Sequence, residues 1–303
     1  MSKKIYLEEE HIQSRFFPNS QEESFLIISD IHYHPRIDET LYKMIIPYVA
    51  KTKPDYIIMP GDIFETDEFL EHKESLSFFD TFIHHLAELS KVIIIPGNHD
   101  IIDYNTKVFM NKNYSSESHS IKYLTSLNRI PGIYFLNNEQ LDINNITFLG
   151  LNPRNETYLK KEDSRTNAMF IEDFYKGNYH LRENGYTIIL CHNPLPLLDP
   201  EIKEAIPEFS SSDLAIAGHF HNGYMPRWIT SHLKKNSNIG IFTVPWIPPI
   251  PGTECRGLHP FGREGYLYIS KAFRKVGIMK KEVFANDMEK LYIRNPKQKV
   301  LKK

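Results

Sequence analysis

Short runs of branched apolar residues recur along this chain, and each is halted by a polar or turn-forming residue. FLIIS at 25–29 stops at Asp30, YIIMP at 56–60 stops at Gly61-Asp62, and VIII at 92–95 stops at Pro96-Gly97. Runs this short, apolar at nearly every position, predict strands buried on both faces. Residues 39–50 and 68–89 lie between them and show helical spacing. In the second, Phe69, Leu76, Phe79, Phe82, Ile83 and Leu86 mark one face; in the first, Pro47 is expected to kink or end the helix. Strands alternating with helices predict an α/β fold with a largely buried sheet.

Residues 133–151 differ, with two or three short strands around Asn-rich turns, which predicts a hairpin. Helix and loop are expected over 165–183, and strands at 186–191, 213–217, 239–244 and 265–269. No linker divides the chain. The expected organisation is an N-terminal extension over 1–24, packed on or leading into the core, one domain over 25–295 and a basic tail over 296–303.

Composition narrows the function classes. The chain has 303 residues, enough for one large core. Lys and Arg number 36 against 38 Asp and Glu, whereas a general nucleic-acid binder is clearly basic. Two cysteines, Cys191 and Cys255, form no disulfide framework and fit a reducing compartment. The start lacks the apolar stretch of a secretory signal, and no run is long enough to cross a membrane. A cytoplasmic location is therefore expected.

The residues that halt the strands carry the chemistry. Asp30 and His32 follow the first run, Asp62 the second, Asn98 and His99 the third, His192 a fourth, and His219 and His221 a fifth. Any one of these reads as an ordinary turn or a packing histidine. In parallel strands, however, the carboxyl ends face one cleft, and these carboxylate, imidazole and amide groups would then converge, seven of them besides His99. Such oxygen and nitrogen donors suit divalent transition metals, and seven are too many for one tetrahedral ion. Two ions are expected, with Asp62 bridging because a carboxylate has two oxygens. Asp30, His32 and His221 complete one set; Asn98, His192 and His219 complete the other. His219 and His221 stand two apart, so an extended segment would aim both to one side. Cys191 should point away from His192, into the core. His99 remains for general acid work, with Asp100 or another nearby carboxylate to orient it.

The set Asp30-Ile31-His32, Gly61-Asp62, Gly97-Asn98-His99-Asp100, His192 and Gly218-His219-Phe220-His221 resembles, in order and spacing, the calcineurin-like metallophosphoesterase superfamily. The resemblance covers about residues 25–222. It implies a four-layer α/β sandwich with two central mixed sheets and a dinuclear metal site at the carboxyl ends of the strands. It places the ligand roles on Asp30, His32, Asp62, Asn98, His192, His219 and His221, and the proton-donor role on His99. Glu65 takes the last place of the family's Gly-Asp-x-x-acid pattern, as support rather than ligand. The segment GHFHNGYMP is similar to the GHTHGGQ-type ending of the small bacterial phosphoesterases, with Phe220, Asn222 and Tyr224 departing from it. The exported or membrane-anchored start common in that subgroup is not seen here.

The expected reaction is metal-dependent hydrolysis of a phosphodiester or diphosphate bond: a metal-bridging hydroxide attacks, and His99 protonates the leaving group. The expected cofactors are two divalent or mixed-valence transition metal ions, Mn2+ or Fe first, with Zn2+, Ni2+ or Co2+ also compatible. His34, Arg227 and Trp246 are candidate substrate contacts; the last lies in a Pro-rich stretch over 245–252. A phosphomonoesterase or a DNA or RNA nuclease would use the same machinery. A metal-independent interaction scaffold is the contrasting class, and the full ligand set argues against it. The partner expected is a small phosphorylated substrate. A homodimer is compatible with the sequence, no obligate protein partner is implied, and neither nucleic acid nor membrane is favoured.

Overall fold

The computed structural model describes residues 6–18, 22–33, 38–65, 73–101, 118–152, 164–177, 179–181, 185–221, 256–273 and 287–296. Within them, every run expected to form a strand does so; the stretch 239–244 lies outside the described residues. In chain order the strands are β1 (Tyr6–Gln13), β2 (Glu23–Ile27), β3 (Tyr56–Pro60), β4 (Lys91–Ile95), β5 (Ile133–Phe135), β6 (Glu139–Ile143), β7 (Ile146–Leu151), β8 (Tyr186–Cys191), β9 (Leu214–Ala217), β10 (Gly257–Phe261), β11 (Gly265–Ile269) and β12 (Asp287–Arg294).

They form two six-stranded mixed sheets, ordered β1-β12-β2-β3-β4-β5 and β10-β11-β9-β8-β7-β6. In the first sheet β2, β3, β4 and β5 run parallel, and β12 joins antiparallel to β2. In the second, β11, β9, β8 and β7 run parallel, with antiparallel edges β10 and β6. Alternation along the strands divides their side chains between layers. Phe25, Ile27, Ile58, Ile93 and Ile95 of the first sheet pack on Phe148, Ile188, Leu190, Leu214 and Ile216 of the second. Leu26, Ile57, Met59, Val92 and Ile94 face outward. They pack under α1 (Asp38–Thr52), α2 (Lys73–Leu89) and α4 (His119–Ser126), the last following the short α3 (Asn98–Ile101). The outer face of the second sheet packs on α5 (Ser164–Lys176) and three short helices over 195–211. Helix, sheet, sheet and helix make a four-layer α/β sandwich.

Two details add to the expected fold. The helix containing Pro47 does not end there, since α1 runs on to Thr52. Ile45 and Val49 on either side are fully buried, so core packing outweighs the amide bond that proline cannot donate. The chain start also takes part in the fold, because β1 pairs in parallel with β12 at the sheet edge and buries Ile12 between the sheets. The expected hairpin is β6–β7. Its turn residues Asn144 and Asn145 hold φ of 51° and 63°, the left-handed pair that a two-residue turn requires. Among the described residues no helix is long and apolar enough to cross a membrane.

Ile12 tests whether β1 belongs to the core. Ile12→Ala should cost about 2–5 kcal/mol in denaturant unfolding. A change under about 0.5 kcal/mol, the size of a surface effect, would show that β1 is peripheral.

Candidate metal centre

The cleft lies beyond the carboxyl ends of β2, β3 and β4 in one sheet and of β8 and β9 in the other. Residue patterns alone anticipated one sheet edge. The structure divides the five strand ends between two sheets, which apolar runs cannot distinguish. The loops interlock through backbone bonds. Asp30 N–H donates to Gly61 O at 3.2 Å, His32 N–H to Asp62 O at 2.9 Å, and Gly218 N–H to His192 O at 3.0 Å. Asp30, His32, Asp62, His219 and His221 all hold positive φ, between 45° and 72°. Non-glycine residues hold this conformation at a cost, and such strain concentrates at functional sites. His219 and His221 therefore do not lie on an extended segment, as their spacing had implied; left-handed turns bring both inward. Close approach sets the glycines. A Cβ on Gly97 would collide with the Asp62 carboxylate, and one on Gly218 would lie 2.5 Å from Asp30 Oδ2.

All seven expected ligands meet here. Asp30, His32, Asp62 and His221 form one set and Asp62, His192 and His219 another, the ligand atoms within each set lying within 4.8 Å of one another. Asp62 belongs to both. Its Oδ2 lies 3.4 Å from His32 Nε2 and 3.2 Å from His192 Nε2. His221 Nε2 lies 3.4 Å from Asp30 Oδ1 and 3.2 Å from His32 Nε2. His192 Nε2 lies 3.1 Å from Asn98 Oδ1 and 3.3 Å from His219 Nδ1. Cys191 turns the other way, into the outer core of the second sheet, where burial pushes its thiol up to about 12.

The donor set fits metal ions. His192 Nδ1 lies 2.8 Å from the Pro60 carbonyl, which only accepts, so Nδ1 carries the proton. The Nε2 lone pair then points at the Asp62 carboxylate, a repulsive contact that either a proton or a cation relieves. Burial opposes charge on both partners. Even so, His192 holds Asp62 well below the usual carboxylate range, and Asp62 holds His192 up at about 9. His32 and His219 are pushed down, first by burial and then by His99 and His192 respectively. Buried neutral imidazoles beside carboxylates are the form that coordinates a metal.

His99 sits half-buried at the edge of the cluster, its ring edge-on to His32 with centroids 4.5 Å apart. The Glu65 carbonyl lies 3.0 Å from its Nδ1. Asp100, expected beside His99 as an orienting carboxylate, makes its described hydrogen bonds to the backbone instead. It is fully buried, and its carboxylate accepts the backbone N–H groups of Gly97, Ile63 and Phe64 at 2.8–3.1 Å, stitching the second and third loops together. Of three further groups, sequence reasoning did not single out the first two, and it gave Glu65 only a supporting role. Ser29 Oγ hydrogen-bonds Asp30 Oδ2, the Pro60 carbonyl orients His192, and the Glu65 carboxylate lies 3.2 Å from His32 Nδ1. Such outer partners fix ligand tautomer and orientation. For Ser29 and Pro60, only adjacency to the ligands in the chain could have marked them. His34, Arg227 and Trp246 lie outside the described residues, as do Asn222, Tyr224 and the stretch 245–252.

The calcineurin-like phosphoesterase family model matches residues 24–223. No curated protein sequence matches the chain. Solved structures similar to it include a dimetal phosphatase from Danio rerio, at 14% identity and TM-score 0.36, covering 66% of this chain and 82% of that one. Another is a nuclease from Pseudomonas putida, at 12% identity and TM-score 0.30, covering 67% and 64%. A third is the anchor in the inner membrane complex of Plasmodium, at 10% identity and TM-score 0.38, covering 93% and 87%. The chain belongs to the calcineurin-like phosphoesterase family, and it is a metallophosphoesterase.

The pKa of His192 predicts a pH dependence for the metal-free protein. Folding raises this group from 6.5 to about 9, so its contribution to stability is complete below pH 6.5 and is lost as pH rises through 9. Metal-free wild type should therefore lose more stability between pH 7 and pH 9.5 than metal-free His192→Gln, as read by thermal melts. Equal slopes would contradict the His192–Asp62 pairing.

Proposed function

We propose that the protein hydrolyses a phosphodiester or diphosphate bond, with His99 delivering the proton to the leaving oxygen. The observation that carries this reading is the sharing of Asp62 Oδ2 between His32 and His192, which joins two donor sets into one centre. Two transition metal ions held there would polarise the phosphoryl oxygens and lower the pKa of water to supply a nucleophile. Carboxylate and imidazole donors favour manganese or iron and also accept zinc, nickel or cobalt.

The chain's own groups account for the rest of the step. Asp30, His32 and His221 hold one side of the centre; Asn98, His192 and His219 hold the other; Asp62 spans both. His99 donates its Nδ1–H to the Glu65 carbonyl, so Nε2 is the atom left to carry a proton to the leaving oxygen. Asp100 keeps Gly97, and with it Asn98 and His99, in place against the Asp62 loop. Charge supports a diester or diphosphate. Among the described residues, the ion pairs of Asp30 and Asp62 are with histidines, and Arg263 sits on the β10–β11 turn at the far end of the sheet. A monoester's second negative charge has no described cation waiting for it at the cluster. Cytoplasmic action on a small phosphorylated substrate belongs to the same reading.

The test is hydrolysis by metal-reconstituted protein of an aryl phosphomonoester, an aryl phosphodiester, a cyclic dinucleotide, a nucleotide diphosphate conjugate and single-stranded DNA. The diester and diphosphate substrates should exceed the monoester by at least about tenfold in kcat/KM, a difference of about 1.4 kcal/mol. A dominant monoester or DNA activity would replace this substrate class. His99→Ala should keep its metals and lose about 100-fold or more on poor leaving groups, but far less on good ones. Equal losses on both would remove the general-acid role.

A further inference from the structure

The inward face of β12 is apolar at Ile293 and Leu291, and alternation puts Glu289 next on that face. Glu289 is 1% exposed. A carboxylate in an apolar layer is costly unless its hydrogen bonds are made. Its oxygens accept from Ser270 Oγ at 2.9 Å and from the Lys271 N–H at 2.6 Å, and Ser270 Oγ accepts from the Ala272 N–H at 3.3 Å.

Residues 270–273 strap the two sheets together at the cleft. Ser270 N–H donates to Ala217 O at 2.8 Å, just beyond β11, and Phe273 N–H donates to Ser29 O at 2.7 Å, just beyond β2. Between them Ala272 holds a φ of 72°, a conformation that needs outside support. Phe273 anchors the far end in the outer core of the first sheet. Both strap acceptors adjoin the metal centre. Ser29 precedes Asp30 and hydrogen-bonds its Oδ2, while Ala217 leads through Gly218 to His219, whose N–H donates to Asp30 Oδ1 at 3.1 Å.

We propose that Glu289 is a positioning residue of the metal centre: by holding the strap it fixes Ser29, and through Ser29 the Asp30 carboxylate that faces His221. The effect should fall mainly on one side. Glu289 acts on Asp30, of the set with His32 and His221, through Ser29; in the other set only His219 adjoins the strap, and His192 is held from β8 and the Pro60 carbonyl. This proposal rests on the two-metal reading above, but metal binding tests it without turnover.

The experiment is Mn2+ titration of the full chain by calorimetry, for wild type, Glu289→Leu and Glu289→Gln, each melted in parallel. Leucine fills the apolar layer but accepts no hydrogen bond. Glu289→Leu should stay folded and weaken one of the two Mn2+ sites by about tenfold or more, leaving the other nearly unchanged. Glu289→Gln still accepts from Lys271 and should bind both ions nearly as wild type does. The proposal is overturned if Glu289→Leu binds both ions normally, if both sites weaken equally, or if Glu289→Gln is as impaired as Glu289→Leu. Should leucine prevent folding, Ser270→Ala decides the matter. Removing that one bond should weaken the same single site, and unchanged binding overturns the proposal. A wild type that takes up no Mn2+ sinks the two-metal reading itself; normal wild-type binding with an unaffected variant sinks only the role of Glu289.

Discussion

The carboxylate of Asp62 lies between His32 and His192, and the organisation of the cleft follows from keeping it there. A buried carboxylate needs positive charge or several donors, and in the metal-free protein His192 supplies the charge while the His99 N–H donates to Oδ1 at 2.9 Å. Its neighbours come from both sheets, so the two sheets must end at one level. The backbone bears the strain of that convergence: five cluster residues take left-handed conformations, each typically costing about 1–3 kcal/mol. The apolar layer between the sheets supplies the opposing stabilisation, with Phe25, Ile58, Ile188 and Leu214 each fully buried.

Around this carboxylate the polar groups divide their work. Ligand candidates face inward, and their other ring nitrogens or oxygens are taken up by Pro60, Glu65 and Ser29. Asp100 braces two loops through three backbone amides, close enough to Asp62 that burial and that neighbouring charge lift it to about 7. His99 is left half-exposed at the mouth. Rigid outer partners and one accessible histidine are what a site needs when it must hold metals firmly and still pass a proton.

Much of this was legible in the sequence because each cluster residue follows a run of buried strand. Asp30, Asp62, Asn98 and His192 could be placed at strand ends from that pattern, and the hairpin from its paired asparagines. The allocation of strands to two sheets could not, since YIIMP and YTIILC read alike although they belong to different sheets. β1 and β12 were hidden for another reason. YLEEEHIQ and DMEKLYIR are charged, and their place at the edge and near-edge of the sheet, β12 between β1 and β2, buries Ile12 and Leu291 in the layer between the sheets. The left-handed turns at His219 and His221 also escape residue patterns, because histidine carries none of glycine's signal for positive φ. Glu289 was silent because a lone glutamate in a mixed strand reads as solvated.

The central claim is that Asp62 joins two metal ions. Electron paramagnetic resonance of Mn2+-loaded protein reads this directly. At two ions per chain, wild type should show the exchange-coupled signal of a bridged pair, and Asp62→Asn should show only the hyperfine signal of isolated ions or lose one ion. Two magnetically independent ions in wild type, or a coupled pair that survives Asp62→Asn, would contradict it.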